Sequence, residues 1–284
     1  MKLYKYVSSS LWECLLKKRL IRFTQPSALN DPFEMKPFYE RFVDEKALKK
    51  TLNETSQLEY DRRVVEQYEK LPDEVRAVLP INSIPTMNEA FSLFFSLVGE
   101  TLESCIPMAK EKFSENINKH IGVLCLSEAW DNQLMWSHYA DSHKGFVIEF
   151  NPQHSYFNQQ RSPVDEFGYL RQVKYAERPS VALTNLESLD VFFVKGMDWE
   201  REKEWRMLRP LKDHTEILDE SIYLFSFPPE CITGVILGSQ MLPQIKQDIQ
   251  HFLEGESEYS HVVIYHAVLD ERRYKLRIVP ANEI

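Results

Sequence analysis

Apolar and polar positions follow two different rhythms along this chain, and each rhythm keeps to its own region. Residues 3–7 read as a short strand. Ser10 and Glu13 then have the spacing of a capping box. Leu11, Leu15 and Leu16 supply an apolar face, so the spacing predicts a helix over 11–19. Residues 21–24 predict a second short strand. The stretch 25–34 carries Pro26, Pro32 and the run Asn30-Asp31-Pro32, which predicts a loop.

From about residue 40 to 120 the spacing is helical. Charge is dense, and no glycine occurs between Arg41 and Val98. Val64, Val65, Tyr68 and Leu71 fit one helical face. Phe91, Leu93, Phe94, Phe95 and Leu97 predict a buried one. Pro72 and Pro80 break the run into separate helices. Strand character returns with the apolar run 121–127, as in a central strand. A short helix over 134–140 follows, ending before Gly145, and then a strand over 145–150. Residues 151–168 are loop-like, 173–175 form a short strand, and 186–197 predict a helix. A strand over 231–237 turns at Gly238. Met241, Leu242, Ile245, Ile249, Phe252 and Leu253 make an amphipathic helix with Gly255 just past its end. Closing strands over 261–268 and 273–279 are joined as a hairpin through 269–272. The reading is a mixed, mainly antiparallel α+β core over 1–39 and 121–284, with one continuous helical insert over 40–120.

Composition narrows the function classes. The chain has 284 residues and a net charge of −9, so it has no general attraction for nucleic acid or anionic membrane. Cys14, Cys105, Cys125 and Cys231 are scattered without Cys-x-x-Cys spacing. This argues against a structural zinc site or a disulfide framework and suits a reducing cytoplasm. No signal peptide and no membrane-spanning run is expected. With 8 glycines in the chain, phosphate-cradling loops are largely excluded. His138 and His143 stand five apart, which is not the spacing of a helical metal pair. A structural His138 packed in its helix is expected, with no metal.

The densest chemistry lies in residues 198–206, which hold four carboxylates, three cations and two indoles. If the run after Arg201 is a strand, Glu202, Glu204 and Arg206 share a face, with the acids roughly 6.6 Å apart, while Trp205 and Met207 face a core. A polar-ligand site and a solvated, ion-paired face both fit that pattern. Trp136 and Tyr139 share a helical face and suit either stacking on a flat ring or filling a core. The loop at Asn30-Asp31-Pro32-Phe33-Glu34 is a third candidate, although a tight turn alone explains it.

Several blocks in order carry a resemblance: Leu3-Tyr4-Lys5-Tyr6, residues 29–34, Cys125-Leu126-Ser127, residues 134–140, Lys144-Gly145-Phe146 and residues 202–206. Together they resemble the bacterial family catalogued as domain of unknown function 2971. More distantly, the order of elements resembles the ADP-ribosyltransferase superfamily. That resemblance implies a fold of the same kind. It also implies NAD as substrate, with catalytic Glu204 and Glu202 and a cofactor-binding set of Lys5, Ser127, Trp136, Tyr139 and Arg206. Lys5 departs from the His or Arg usual on the first strand, and Trp205 is bulkier than the residue usual there. Cleaving the nicotinamide–ribose bond builds an oxocarbenium-like cation, which Glu204 would stabilise while holding the ribose, and Glu202 would orient or deprotonate the acceptor. The implied activity is ADP-ribosyl transfer or NAD glycohydrolysis, as in a toxin or phage-defence effector. Such an effector would act on a protein or nucleic-acid target and have an antitoxin or defence partner. A non-catalytic nucleotide- or partner-binding module of the same fold is the alternative.

Overall fold

The computed structural model describes residues 1–44, 54–182 and 189–283. The chain divides into two compact units. The first comprises Met1–Pro37, Glu115–Pro179 and Ser188–Ile284, and the second Phe38–Ser114 and Ser180–Glu187.

The strands in chain order are β1 (Leu3–Val7), β2 (Leu20–Phe23), β3 (Phe38–Arg41), β4 (Ile121–Ser127), β5 (Phe146–Phe150), β6 (Leu170–Gln172), β7 (Lys174–Tyr175) and β8 (Ser180–Ala182). They continue with β9 (Val194–Lys195), β10 (Glu204–Pro210), β11 (Glu216–Leu218), β12 (Ile222–Ser226), β13 (Ile232–Leu237), β14 (Val263–Leu269) and β15 (Leu276–Pro280). Eight of them form one sheet of order β15-β14-β13-β5-β1-β4-β10-β6. Its neighbours run antiparallel except β13 and β14, which are parallel and joined through the helix Pro243–Gly255. The architecture is therefore mixed α+β with a mainly antiparallel sheet.

Strand alternation sorts side chains onto two faces. Leu3, Val7, Leu124, Leu126, Ile148, Phe150, Val235 and Leu237 enter one core with Ile249 and Leu253 of the last helix. Tyr4, Tyr6, Val147 and Ile236 enter a second core, closed by Trp136. One irregularity of the sheet positions the site. β1 and β4 are paired at a single position, Tyr4 with Ser127. Further along, Val123 of β4 pairs with Thr24 instead. The sheet splits there, and the Lys5 ammonium donates to the Cys125 carbonyl at 3.0 Å in the opening.

The predicted strands at 3–7, 21–24, 121–127, 145–150 and 231–237 are present within a residue or two. Several expectations are corrected. The segment 11–19 is not a regular helix. It consists of a 3-10 turn, Ser9–Leu11, and a π-turn, Glu13–Lys17, with no side-chain cap. Leu15 and Leu16 are adjacent and both buried while Leu11 is exposed, and the wide turn closed by Lys18 N–H on the Glu13 carbonyl faces both leucines inward. The expected helix at 186–197 is a 3-10 turn, Leu189–Phe193, followed by β9, with 186–188 outside the described residues. Gly255 is the last residue of its helix rather than the one after it.

In the second unit, helices span Glu54–Glu69, Asp73–Val78 and Met87–Ser104, and Ile106–His120 runs from it into the first unit. The breaks fall at Pro72 and Pro80, as predicted. Val64, Tyr68 and Leu71 are half-buried. Leu93, Phe94 and Leu97, expected to be buried, are each more than half exposed. Apolar residues at 91, 93, 94, 95 and 97 spread round more than one face of a helix; Phe95 pairs with Phe91, one turn away, at 4.7 Å between centroids and with Phe94 at 5.3 Å. A capping box that the sequence reading did not give, Thr86 with Glu89, starts this helix.

Candidate functional site

The charged run does not continue as a strand after Arg201. Met197–Glu202 is a 3-10 turn, Lys203 adopts the left-handed conformation (φ 47°, ψ 53°), and β10 begins at Glu204. A left-handed non-glycine residue is uncommon and reverses the local path of the backbone. Glu202 therefore reaches the site from the turn and Glu204 from the sheet. The expectation of two acids in line on one strand is corrected, yet their carboxylates converge. The Lys195 ammonium donates to Glu202 Oε2 at 2.6 Å and to Glu204 Oε2 at 3.0 Å. Beyond Glu204 the alternation holds: Arg206 lies with Glu204, while Trp205 and Met207 pack into the core.

Arg206 is fully buried. It donates from Nε to Glu204 Oε1 at 2.8 Å, from Nη2 to Glu204 Oε2 at 3.0 Å and from Nη1 to the Phe192 carbonyl at 2.7 Å. Nη2 also donates to Oε1 of Glu34, which stands at the end of the Asn-Asp-Pro-Phe-Glu loop. An Asx turn forms that loop, with Phe33 N–H on Asp31 Oδ1 at 2.9 Å. Glu34 Oε1 also lies 3.5 Å from Lys195 Nζ. Three buried carboxylates thus surround two buried cations, and β1, β9, β10, the loop and the turn all contribute to the neighbourhood.

The electrostatics follow from burial and pairing. Burial alone would raise the Glu204 carboxyl, but the Arg206 guanidinium and Lys195 outweigh it and hold the group down to about 2. For Lys195, burial opposes the charge, and Glu204, Glu34 and Glu202 together raise it above its ordinary value. Glu34 goes the other way: burial raises it, and Arg206 and Lys195 only partly offset the shift. Burial lowers the Lys5 ammonium, against the pull of Cys125 and Glu204.

Lys5, Glu202 and Glu204 line one cleft of about 220 Å³ at the split in the sheet, together with Arg22, Asn30 and Tyr139. The Tyr139 hydroxyl accepts from Asn30 Nδ2 at 2.8 Å and donates to Glu202 Oε1 at 2.9 Å. Glu34 and Lys195 border this cleft and also a second one of about 450 Å³, lined by Asp31, Phe33, Arg178, Asp198 and Trp199 among others. The indole of Trp199 lies 4.8 Å from Lys195 Nζ. Glu202 also borders a third cleft of about 310 Å³ with His138 and Trp199.

Among the residues singled out from sequence, Lys5, Tyr139, Glu202 and Glu204 meet at the first cleft. Ser127 lies beneath it, its hydroxyl donating to the Glu202 carbonyl at 2.5 Å and accepting from Ala129 N–H at 2.9 Å. Arg206 is enclosed, its guanidinium committed to protein acceptors. Trp136 is a core residue whose indole N–H donates to the Trp130 carbonyl at 2.8 Å and whose ring stacks on His143. His138, expected to be packed in its helix, is exposed, and His143 is the histidine that packs. Among the described residues no group of three His, Cys, Asp or Glu is placed to hold a metal ion, and no helix is long and apolar enough to cross a membrane. Sequence reasoning missed Lys195, a lone cation in a segment read as a helix. It named Glu34 only as part of a loop, whose two prolines were the available signal.

Comparison with known proteins adds one relationship. Residues 135–207 match the family model DUF2971, described as a protein of unknown function. The DUF2971 match begins on the helix carrying Tyr139 and ends one residue past Arg206, so it takes in Lys195, Glu202 and Glu204. The resemblance to this family thus has support in the region that builds the ion cluster. The search of curated proteins returned no match, and neither did the search of solved structures.

Proposed function

We propose that this chain cleaves the nicotinamide–ribose bond of NAD, by glycohydrolysis or by ADP-ribosyl transfer to a macromolecule. The observation that carries the reading is the cleft at the split between β1 and β4, which gathers Lys5, Tyr139, Glu202 and Glu204. Its volume of about 220 Å³ falls below the roughly 300–1,000 Å³ of sites for drug-sized ligands. It therefore receives the nicotinamide riboside portion, and the rest of the dinucleotide lies outside it.

The bonding pattern divides the work of the acids. Glu204 is ionised and already accepts three hydrogen bonds from Arg206 and Lys195. It acts as a fixed negative charge facing the developing oxocarbenium ion. Each Glu202 oxygen accepts one bond, from Tyr139 or Lys195, and keeps capacity for a ribose hydroxyl. Lys5, in the lining of the same cleft, has donor capacity beyond its bond to the Cys125 carbonyl and would meet a phosphate or ribose oxygen. Depletion of NAD, or modification of a macromolecule, is the activity of a toxin or phage-defence effector.

Nicotinamide release from NAD tests the proposal. Wild-type protein is expected to release it, and Glu202→Gln and Glu204→Gln to slow release by about 10²–10³-fold, as for loss of one preorganised electrostatic contact. The three protein donors already on Glu204 favour a second reading, a nucleotide-binding module without turnover. A rise in melting temperature with NAD but no nicotinamide would support that reading. Neither a shift nor release would remove NAD from both.

A further inference from the structure

Glu34 differs from the other two acids of the cluster in its bonding. Glu202 and Glu204 have both oxygens hydrogen-bonded. Glu34 offers only Oε1 to Arg206 and Lys195, while its Oε2 is buried and has no hydrogen-bond partner. The side chain is 1% exposed. A buried carboxylate oxygen left unpaired costs free energy, and a catalytic role is one of the explanations for such a group in a native protein. Glu34 also lies where the 220 Å³ and 450 Å³ clefts share a wall.

We infer that Glu34 is the proton acceptor of the reaction, taking the proton of a nucleophile admitted through the larger cleft. The inference rests on the NAD reading above. The C1′–N bond of the nicotinamide riboside breaks, and its electron pair leaves on the nicotinamide nitrogen, neutralising the pyridinium. An acceptor O–H, of water in glycohydrolysis or of a target hydroxyl in transfer, forms the new C1′–O bond. Its proton passes to Glu34 Oε2 and from there to solvent, so no oxidant, reductant or metal enters the balance.

The groups facing Glu34 are Arg206 and Glu204 from β10, Lys195 from β9, Glu202 from the turn and the Cys125 thiol from β4, and Asp31 precedes it on the loop. Burial is the largest influence and moves Glu34 above the ordinary 4.5, toward the range where a base works at neutral pH. A base must be ionised, so the rate falls as pH drops through the Glu34 value. Glu204, held at about 2, stays ionised throughout.

The test is the pH profile of nicotinamide release for wild type, Glu34→Gln and Glu34→Asp, with thermal denaturation of each protein. Wild type is expected to show an acid limb above pH 4.5. Glu34→Gln should lose that limb and about 10²–10⁴-fold in rate, the usual worth of a general base, and Glu34→Asp should recover part of both. A turning-over wild type with a flat profile, or a folded Glu34→Gln with wild-type rate and limb, overturns the role of Glu34 alone. Should Glu34→Gln fail to fold, the wild-type profile and Glu34→Asp decide. A wild type releasing no nicotinamide overturns the NAD reading and this step together, which distinguishes the two failures.

Discussion

Arg206 grips Glu204 through two hydrogen bonds, Nε to Oε1 at 2.8 Å and Nη2 to Oε2 at 3.0 Å, with both side chains enclosed by protein. Removing one partner of a buried ion pair leaves the other charged and unsolvated, at a cost of about 3–5 kcal/mol. Here two acids, Glu204 and Glu34, would lose the guanidinium at once and keep only the Lys195 ammonium. Arg206→Met is expected to lower unfolding free energy by about that amount, measured from urea midpoints at unchanged slope. Arg206→Lys keeps the charge without the planar fork and should fall in between.

The same pair makes stability depend on pH. The Glu204 carboxyl is depressed from its ordinary 4.5 to about 2. Its contribution is therefore fully present above about 4.5 and disappears as pH falls through about 2. The difference in stability between wild type and Glu204→Gln is expected to be largest near pH 7, to shrink below pH 4.5 and to close near pH 2. Glu34, shifted upward, has the opposite sign: its ionisation disfavours the folded state, and acidification relieves it. Denaturation of Glu34→Gln across the same range should show that inverse trend.

Two glycines hold backbone segments in close approach. Gly238 N–H donates to the Gly145 carbonyl at 2.9 Å. A Cβ on Gly145 would collide with the Val7 and Ala140 backbone, and one on Gly238 with the His143 and Gly145 carbonyls. Backbone cannot step aside as a flexible side chain does, so Gly145→Ala and Gly238→Ala should each cost roughly 1–3 kcal/mol or more in thermal denaturation. Gly99, inside the helix Met87–Ser104, has nothing near its added methyl. Gly99→Ala should stabilise by roughly 0.5–1 kcal/mol.

Tyr139 joins the loop at Asn30 to the turn at Glu202 through one hydroxyl. Tyr139→Phe removes both bonds with little change of shape. The expected loss is about 1–3 kcal/mol, since bonds to a charged acceptor exceed neutral ones. Chemical denaturation measures it, and nicotinamide release by the same variant reports whether Glu202 has lost its orientation.

The central strands were legible because they are continuous apolar runs, and the breaks in the helices because proline cannot continue them. Lys5, Tyr139, Glu202 and Glu204 line one cleft, but the resemblance and not their spacing grouped them, and Ser127, Trp136 and Arg206, grouped with them, do not line it. Turns that bury neighbouring residues were not legible. Leu15 with Leu16 and Phe192 with Phe193 are adjacent pairs, both members buried, which neither helical nor strand periodicity describes. Lys195 was hidden for the same reason. It follows such a pair, on a two-residue strand whose register depends on β7 rather than on its own composition. Trp136 and Tyr139 share a helix face in sequence, but Trp136 is fully buried in the core and Tyr139 lies at the cleft.

Lys203 carries a wider lesson. Because its backbone bends the wrong way for an ordinary side chain, the two glutamates beside it come round a corner and face a common ammonium. The three-letter spelling Glu-x-Glu is therefore silent about geometry. A catalogue of chains assembled on that spelling alone would place this one among proteins whose acids stand in file, though here each arrives by a separate road.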